Sequence, residues 1–197
     1  MAINLKKGQR ISLKKEAPGL TKVMCGLGWD VSESKGLFGL FKANDFDLDA
    51  SVLCLTNKDK LKSKSDVVYY RNLEHSSGAI THQGDNLTGE GDGDDEQILV
   101  DLTRLPDDIL KLVFVVNIYK ARQRQQSFGQ VKNAFVRLVN LNDNKEIARY
   151  SLLGEEYGGK TGMILAEVYR DQEEWKMEAV GKGFMVNGLQ EITNQYY

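Results

Sequence analysis

The sequence predicts an all-β protein, an antiparallel β-sandwich of about ten strands with one or two short helices. Strand-length segments rich in β-branched, leucine and aromatic residues follow one another along the chain, with short turn-rich gaps between them. Helical periodicity is scarce. The 19 glycines and two prolines are typical of tight turns and bulges rather than of disorder.

The predicted elements run in order from residue 22 to the last residue. Residues 22–30 alternate in polarity and place Val23, Cys25, Leu27 and Trp29 on one face. Further strands are predicted at residues 51–56, 67–71, 97–102, 111–119, 133–141, 146–152, 163–171 and 174–181.

Two segments suggest short helices, and one suggests a loop. Residues 103–111 are expected to form a single helical turn, and residues 188–197 a small helix that buries Leu189 and Ile192. Residues 32–45 are punctuated by glycine and are expected to form a loop that ends at an acidic cluster.

Length, composition and charge limit the number of domains, the kinds of partner and the cellular location that the sequence allows. We expect one domain over residues 1–197, because 197 residues with 41% hydrophobic content suit a single core. The net charge of -2 argues against a nucleic-acid partner, since such binding relies on cationic side chains. No apolar run reaches the roughly 20 residues of a transmembrane helix, and the N-terminus lacks the apolar centre of a secretory signal. These features predict a cytoplasmic protein with no transmembrane segment.

The segment DFDLDAS, residues 45–51, has an aspartate at every second position. In a β-strand, Asp45, Asp47 and Asp49 would point to the same face and repel one another. The segment leads directly into the apolar strand predicted at 51–56, which would prevent the carboxylates from moving apart. Such a cluster indicates that a cation compensates the charge.

A second acidic segment, GDNLTGEGDGDDEQI, covers residues 84–98 and contains no basic residue. Its glycines permit left-handed turns and expose main-chain carbonyls, and Asn86 adds a neutral oxygen donor. Calcium takes about six to eight oxygen ligands from carboxylates, amides and main-chain carbonyls. Together, the two segments therefore predict a calcium site rather than a pair of solvated turns, with Asp30 as a third acidic contributor.

Other sites match the sequence less well. Zinc would require Cys or His at short spacing. Magnesium usually keeps several water ligands and rarely uses this many carboxylates in a site without a phosphate ligand. An EF-hand loop starting at Asp45 would need glycine at its sixth position and glutamate at its twelfth, where this chain has Ala50 and Thr56. There is no P-loop and no G-x-S-x-G motif. We therefore predict no catalytic residue.

The motifs resemble those of the TerD family of tellurite-resistance and stress-response proteins. The resemblance rests on GLGWD (26–30), DFDLDAS (45–51) and GDNLTGEGDGDDEQI (84–98), and extends to FVVNIYKA (114–121) and LAEVYRDQEEWKMEAVG (165–181). It implies a β-sandwich with two calcium ions in acidic loops at one end. By this resemblance Asp45, Asp47 and Asp49 are ligands or immediate supports, and Asp30 is a third contributor. The second segment is expected to supply side chains from Asp85, Asn86, Asp94, Asp95 and Glu96 and carbonyls from Gly89 and Gly91.

Three classes of function follow. The resemblance favours a non-catalytic calcium-binding interaction or switch module, whose partners would be other proteins of a stress or tellurite-resistance system, membrane-associated ones included. A metal-dependent enzyme acting on a phosphate or oxyanion is the alternative, and a protein whose metals only stabilise the fold is the third. Reduction of tellurite by Cys25 and Cys54 is disfavoured, because both lie in apolar segments and buried thiols are poor nucleophiles.

Overall fold

The computed structural model describes residues 2–30, 46–84, 93–152 and 155–197, which form two β-sheets of six strands each. The strands are β1 (Ile3–Asn4), β2 (Arg10–Ser12), β3 (Lys22–Asp30), β4 (Leu48–Leu55), β5 (Val67–Val68), β6 (Ile80–His82), β7 (Glu96–Asp101), β8 (Lys111–Ile118), β9 (Lys132–Asn140), β10 (Lys145–Ser151), β11 (Gly162–Asp171) and β12 (Glu174–Phe184). Three short helices accompany them: α1 (Leu13–Glu16), α2 (Ala121–Arg124) and α3 (Leu189–Thr193).

The strands are arranged in two sheets that we call sheet A and sheet B. Sheet A has the order β1-β10-β9-β3-β7-β6, and sheet B has the order β2-β12-β11-β8-β4-β5. All the pairings in the described part of the chain are antiparallel except the two-residue pairing of β1 with β10. The chain passes from sheet A to sheet B between β3 and β4, which places the first acidic segment at the crossing.

The main core consists of apolar side chains from both sheets, as expected for a sandwich. In β4 the alternate residues Leu48, Ala50, Val52 and Cys54 belong to this core. Alternation therefore turns Asp49, Ser51, Leu53 and Leu55 to the outer face of sheet B.

A second, smaller core covers part of that outer face. Leu53 and Leu55 pack there with Val113 and Val115 of β8. Ile192 of α3 is fully buried against them, and Leu189 is partly buried. The C-terminal helix therefore covers sheet B, with the two apolar residues expected from the sequence on its buried side.

The predicted fold class is confirmed, with differences in detail. Each strand predicted from residue 22 onward is present, although the one predicted at 67–71 covers only Val67–Val68. β4 begins three residues earlier than expected, so that Asp49 lies within it. The strands β1, β2 and β6 were not predicted, because two or three residues are too few to show a period. Residues 103–110 form turns between β7 and β8 instead of the expected helical turn. The loop expected at 32–45 lies outside the described residues.

Within the described part of the chain, no helix has the length and apolar composition needed to cross a membrane.

Candidate metal centre

The two acidic segments lead to the same end of the sandwich. β3 and β7 are antiparallel, and Leu27, near the end of β3, pairs with Glu96 at the start of β7. The amide of Asp95 donates to the carbonyl of Leu27 over 2.8 Å, and the amide of Trp29 donates to Oδ2 of Asp95, also over 2.8 Å. Asp95 is thus fixed to the last residues of β3, beside the position of Asp30.

Glu96 connects this end of sheet A to the start of β4 in sheet B. Its side chain is 1% exposed, and its Oε2 accepts a hydrogen bond from the amide of Ala50 over 2.6 Å. His82, the last residue of β6, places Nε2 3.2 Å from the carbonyl oxygen of Ala50 and 3.5 Å from Oε2 of Glu96. The ends of β3 and β6 and the starts of β4 and β7 therefore meet, and each acidic segment is anchored there. We call this region of the molecule the acidic end.

Asp47 and Asp49 are buried where the first acidic segment enters β4. Asp49 pairs with Asn117 of β8, whose Nδ2 donates to Oδ2 of Asp49 over 2.9 Å. The carbonyl of Asp47 accepts from the amide of Tyr119, and Arg124 lies 3.6 Å from its Oδ2. Both carboxylates are held by neighbouring elements and cannot separate in the way that loop residues can.

Arg124 and Asn117 were not assigned to the site from the sequence. The basic residues at 120–124 are visible in the sequence but are equally typical of an exposed loop; residues 121–124 form α2, which sets Arg124 beside Asp47. Asn117 is an amide within the otherwise apolar run at residues 112–118, and this polarity is the signal that could have identified it.

Asp94 does not point towards the other acidic residues. Its side chain lies over Gly26, where an added Cβ would be 2.3 Å from Cγ of Asp94. Arg137 of β9 donates to both carboxylate oxygens, from Nε over 2.7 Å and from Nη2 over 2.9 Å. These hydrogen bonds raise the pKa of the Arg137 guanidinium. The neighbours of Gly26 and Arg137 in β3 and β9 belong to the core, so Gly26 and Arg137 themselves face outward. Asp94, which contacts both, therefore lies on the outer face of sheet A.

The remaining predicted ligands fall wholly or partly outside the described residues. Asp45, Asp85, Asn86, Gly89 and Gly91 lie outside the described residues, and only the backbone of Asp30 is described. Among the residues that the structure describes, no group of three or more His, Cys, Asp or Glu is placed to hold a metal ion. A complete ligand set would therefore need side chains from 31–45 and 85–92.

The described residues fit a hard cation in their chemistry. Asp47, Asp49 and Asp95 offer oxygen atoms, which are the ligands of calcium. Cys25 and Cys54 are free thiols in the core, and burial raises the pKa of each. They lie in the interior between the sheets, so neither provides a soft ligand for the acidic end.

Comparisons with known proteins agree with this fold. The TerD domain family model matches residues 1–196. The chain is 48% identical over 200 residues to the stress response protein SCP2 of Bacillus subtilis (strain 168), with full coverage of both chains. It is 45% identical over 196 residues to the tellurium resistance protein TerD of Serratia marcescens, covering 100% of this chain and 97% of that protein.

A solved structure supports the fold independently. The crystal structure of a homologue of the telluride resistance protein TerD from Streptomyces coelicolor A3(2) superposes with a TM-score of 0.66 at 22% identity. The match covers 91% of this chain and 99% of that one. With a family model spanning almost the whole sequence and relatives above 40% identity, this chain belongs to the TerD domain family of tellurium-resistance and stress-response proteins.

Proposed function

We propose that this protein is a non-catalytic calcium-binding interaction module of a tellurium-resistance or general stress-response system, acting in the cytoplasm with other proteins of that system. The observation that supports it is the meeting of four strand ends where both acidic segments are anchored, with Glu96 buried between the sheets. The names of relatives from Bacillus subtilis and Serratia marcescens support the cellular role.

The proposed ligands come from both acidic segments and would hold two calcium ions. Asp47, Asp49 and Asp95 are the described members, and Glu96 supports them from the interior. Asp94 is left out because Arg137 occupies both of its oxygens. The members from the other parts of the segments are Asp30, Asp45, Asp85, Asn86, Gly89 and Gly91.

Calcium would act on the stability of this end of the molecule. Clustered carboxylates repel one another, and a bound divalent cation removes that repulsion. Because the ion would bind the folded chain and not the unfolded one, binding adds directly to the free energy of unfolding. The same coupling would order the acidic segments, which would present a different surface to a partner with and without calcium.

A non-catalytic role agrees with the placement of the histidines. The sequence has two, and both are buried, His75 at 3% and His82 at 2% exposure. His75 is hydrogen-bonded to Ser77, and His82 contacts the Ala50 carbonyl and Glu96. Neither is available at the surface as a general base for a phosphate or oxyanion substrate.

Thermal unfolding of the metal-free protein tests the proposal. Calcium at about 100 times its dissociation constant adds about 2.7 kcal/mol, which raises the Tm of a chain of this size by about 5–11 °C. Asp45→Asn should reduce that increase, whereas Asp107→Asn, which removes a fully exposed carboxylate elsewhere, should not. An unchanged Tm for the wild-type protein on calcium addition would refute calcium binding.

A further inference from the structure

The outer face of sheet B carries a cavity of about 610 Å³, whose lining includes Asp49 of the metal proposal. Its size lies within the range of about 300–1,000 Å³ that is usual for small-molecule sites. The floor is formed by β4 and β8, through Asp49, Ser51 and Asn117. Three separate parts of the chain form the walls: the segment that includes β5, the segment that includes α2, and the segment that includes α3.

The floor has hydrogen-bonding groups that lack a partner within the described part of the chain. Ser51 is 1% exposed and Asn117 is 4% exposed. Among the described residues, neither Oγ of Ser51 nor Oδ1 of Asn117 has a hydrogen-bond partner. An unsatisfied buried polar atom lowers the stability of the folded protein by about 1–3 kcal/mol. Two such atoms on the floor of one cavity are therefore unfavourable unless a ligand pairs with them. A ligand that donates N–H or O–H groups at its inner end would satisfy both.

The walls differ from the floor, since they combine aromatic rings with positive charge. Tyr69 and Tyr70 form an edge-to-face pair with centroids 5.4 Å apart, and Arg71 lies over the ring of Tyr70. On the α2 side, Lys120 lies 5.0 Å from the centre of the Tyr119 ring. These rings offer surfaces for a planar group, and their cationic neighbours are exposed to solvent.

The charge of the cavity favours an anion at its mouth. The cationic lining residues are Lys64, Arg71, Lys120 and Arg122, and the acidic ones are Asp49 and Glu191. Asp49 lies on the floor and is 5% exposed, so the four cations dominate the opening. Arg and Lys side chains at such an opening bind phosphate oxygens by charge-assisted hydrogen bonds.

We propose that this cavity binds a nucleoside monophosphate. The hydroxyl and amino groups of such a ligand would donate to Ser51 and Asn117, its base would pack against the tyrosine rings, and its phosphate would meet Arg71 and Lys120. Ser51 and Asn117 are not among the expected calcium ligands, although Asn117 donates a hydrogen bond to Asp49. The cavity shares Asp49 with that set, so binding is measured both with and without calcium.

Isothermal titration with the four common nucleoside monophosphates tests the proposal. We expect at least one to bind the wild-type protein with a Kd below 1 mM. The double variant Arg71→Gln/Lys120→Gln should weaken that binding at least tenfold, because it removes the phosphate contacts without changing a buried residue. Lys145→Gln removes an exposed cation from sheet A and should leave the affinity unchanged.

Two further titrations separate the parts of the ligand. Inorganic phosphate and the free nucleoside should each bind more weakly than the nucleotide. If inorganic phosphate bound as tightly as the nucleotide, the proposed contacts of the base with the tyrosine rings and of the ligand with the cavity floor would be overturned. No binding of any nucleotide at 1 mM, or binding that the double variant does not weaken, would overturn the proposal itself. Because these variants leave the acidic segments unchanged, a negative result here says nothing against calcium binding.

Discussion

Single side chains at the acidic end take different roles although the sequence presents them as one group. Asp95 is fixed by the amide of Trp29, Glu96 joins the two sheets, and Asp94 is turned to the outer face of sheet A by Arg137. Asp94 and Asp95 precede β7, and their partners lie on different strands: Arg137 of β9 binds Asp94, and the amide of Trp29 in β3 binds Asp95. The charge of a segment therefore does not show which of its carboxylates share a site.

The pair formed by Arg137 and Asp94 should contribute strongly to stability. The Asp94 side chain is fully buried, so its negative charge depends on Arg137. Arg137→Met should lower the free energy of unfolding by about 3 kcal/mol, because it leaves an uncompensated buried charge. Urea unfolding measures this loss. Arg10→Met removes an exposed ion pair with Glu178 and serves as the control. Equal losses in the two variants would show that Asp94 does not need its partner.

The two thiols should be unreactive in the folded protein. Burial raises the pKa of both Cys25 and Cys54, so almost no thiolate forms near neutral pH. A thiol-specific reagent should therefore react with neither residue before denaturation and with both after it. Rapid reaction of the native protein would contradict this, and would bring direct reduction of tellurite by these residues back into consideration.

At the scale of elements, most of the fold could be predicted from the sequence because the long strands bury one face. The alternation of apolar residues in β3 and the apolar runs of β4 and β8 predicted these three strands directly. The short strands β1, β2 and β6 could not be found, since pairing with longer neighbours rather than their own composition defines them. A site shared by the two acidic segments could be predicted from their charge, but which strand ends bring them together could not, because that depends on which strands pair.

The outer face of β3 has no space for side chains near the acidic end. A Cβ at Gly28 would lie 2.5 Å from the ring of Phe135 and 2.6 Å from the carbonyl oxygen of Gly93. Gly28→Ala should therefore destabilise the protein by about 1–3 kcal/mol, since backbone must move. Thermal unfolding measures the change.

Gly183→Ala in β12 is the matched control. There the nearest atom, at 2.8 Å, belongs to the flexible side chain of Lys160, which can move away. This variant should be less destabilised than Gly28→Ala. A larger loss for Gly183→Ala would show that the close packing over β3 is not what restricts the position.

For the whole molecule, the two sheets form the body of the described structure, and the acidic end is where the proposed cation would act. The main core extends through both sheets, and a second core beneath α3 stabilises the outer face of sheet B. Asp47, Asp49 and Asp95 lie where strands of both sheets meet, and Arg124 lies beside Asp47. A cation that binds there would act on this end of the molecule.

The central claim is that the acidic end binds calcium, and isothermal titration of the metal-free protein with calcium chloride tests it most directly. We expect saturable binding of two ions per chain, with dissociation constants on the order of micromolar or tighter, as calcium sensors require. Asp45→Asn should weaken or remove at least one of the two binding events. No detectable binding at millimolar calcium by the correctly folded protein would contradict the account.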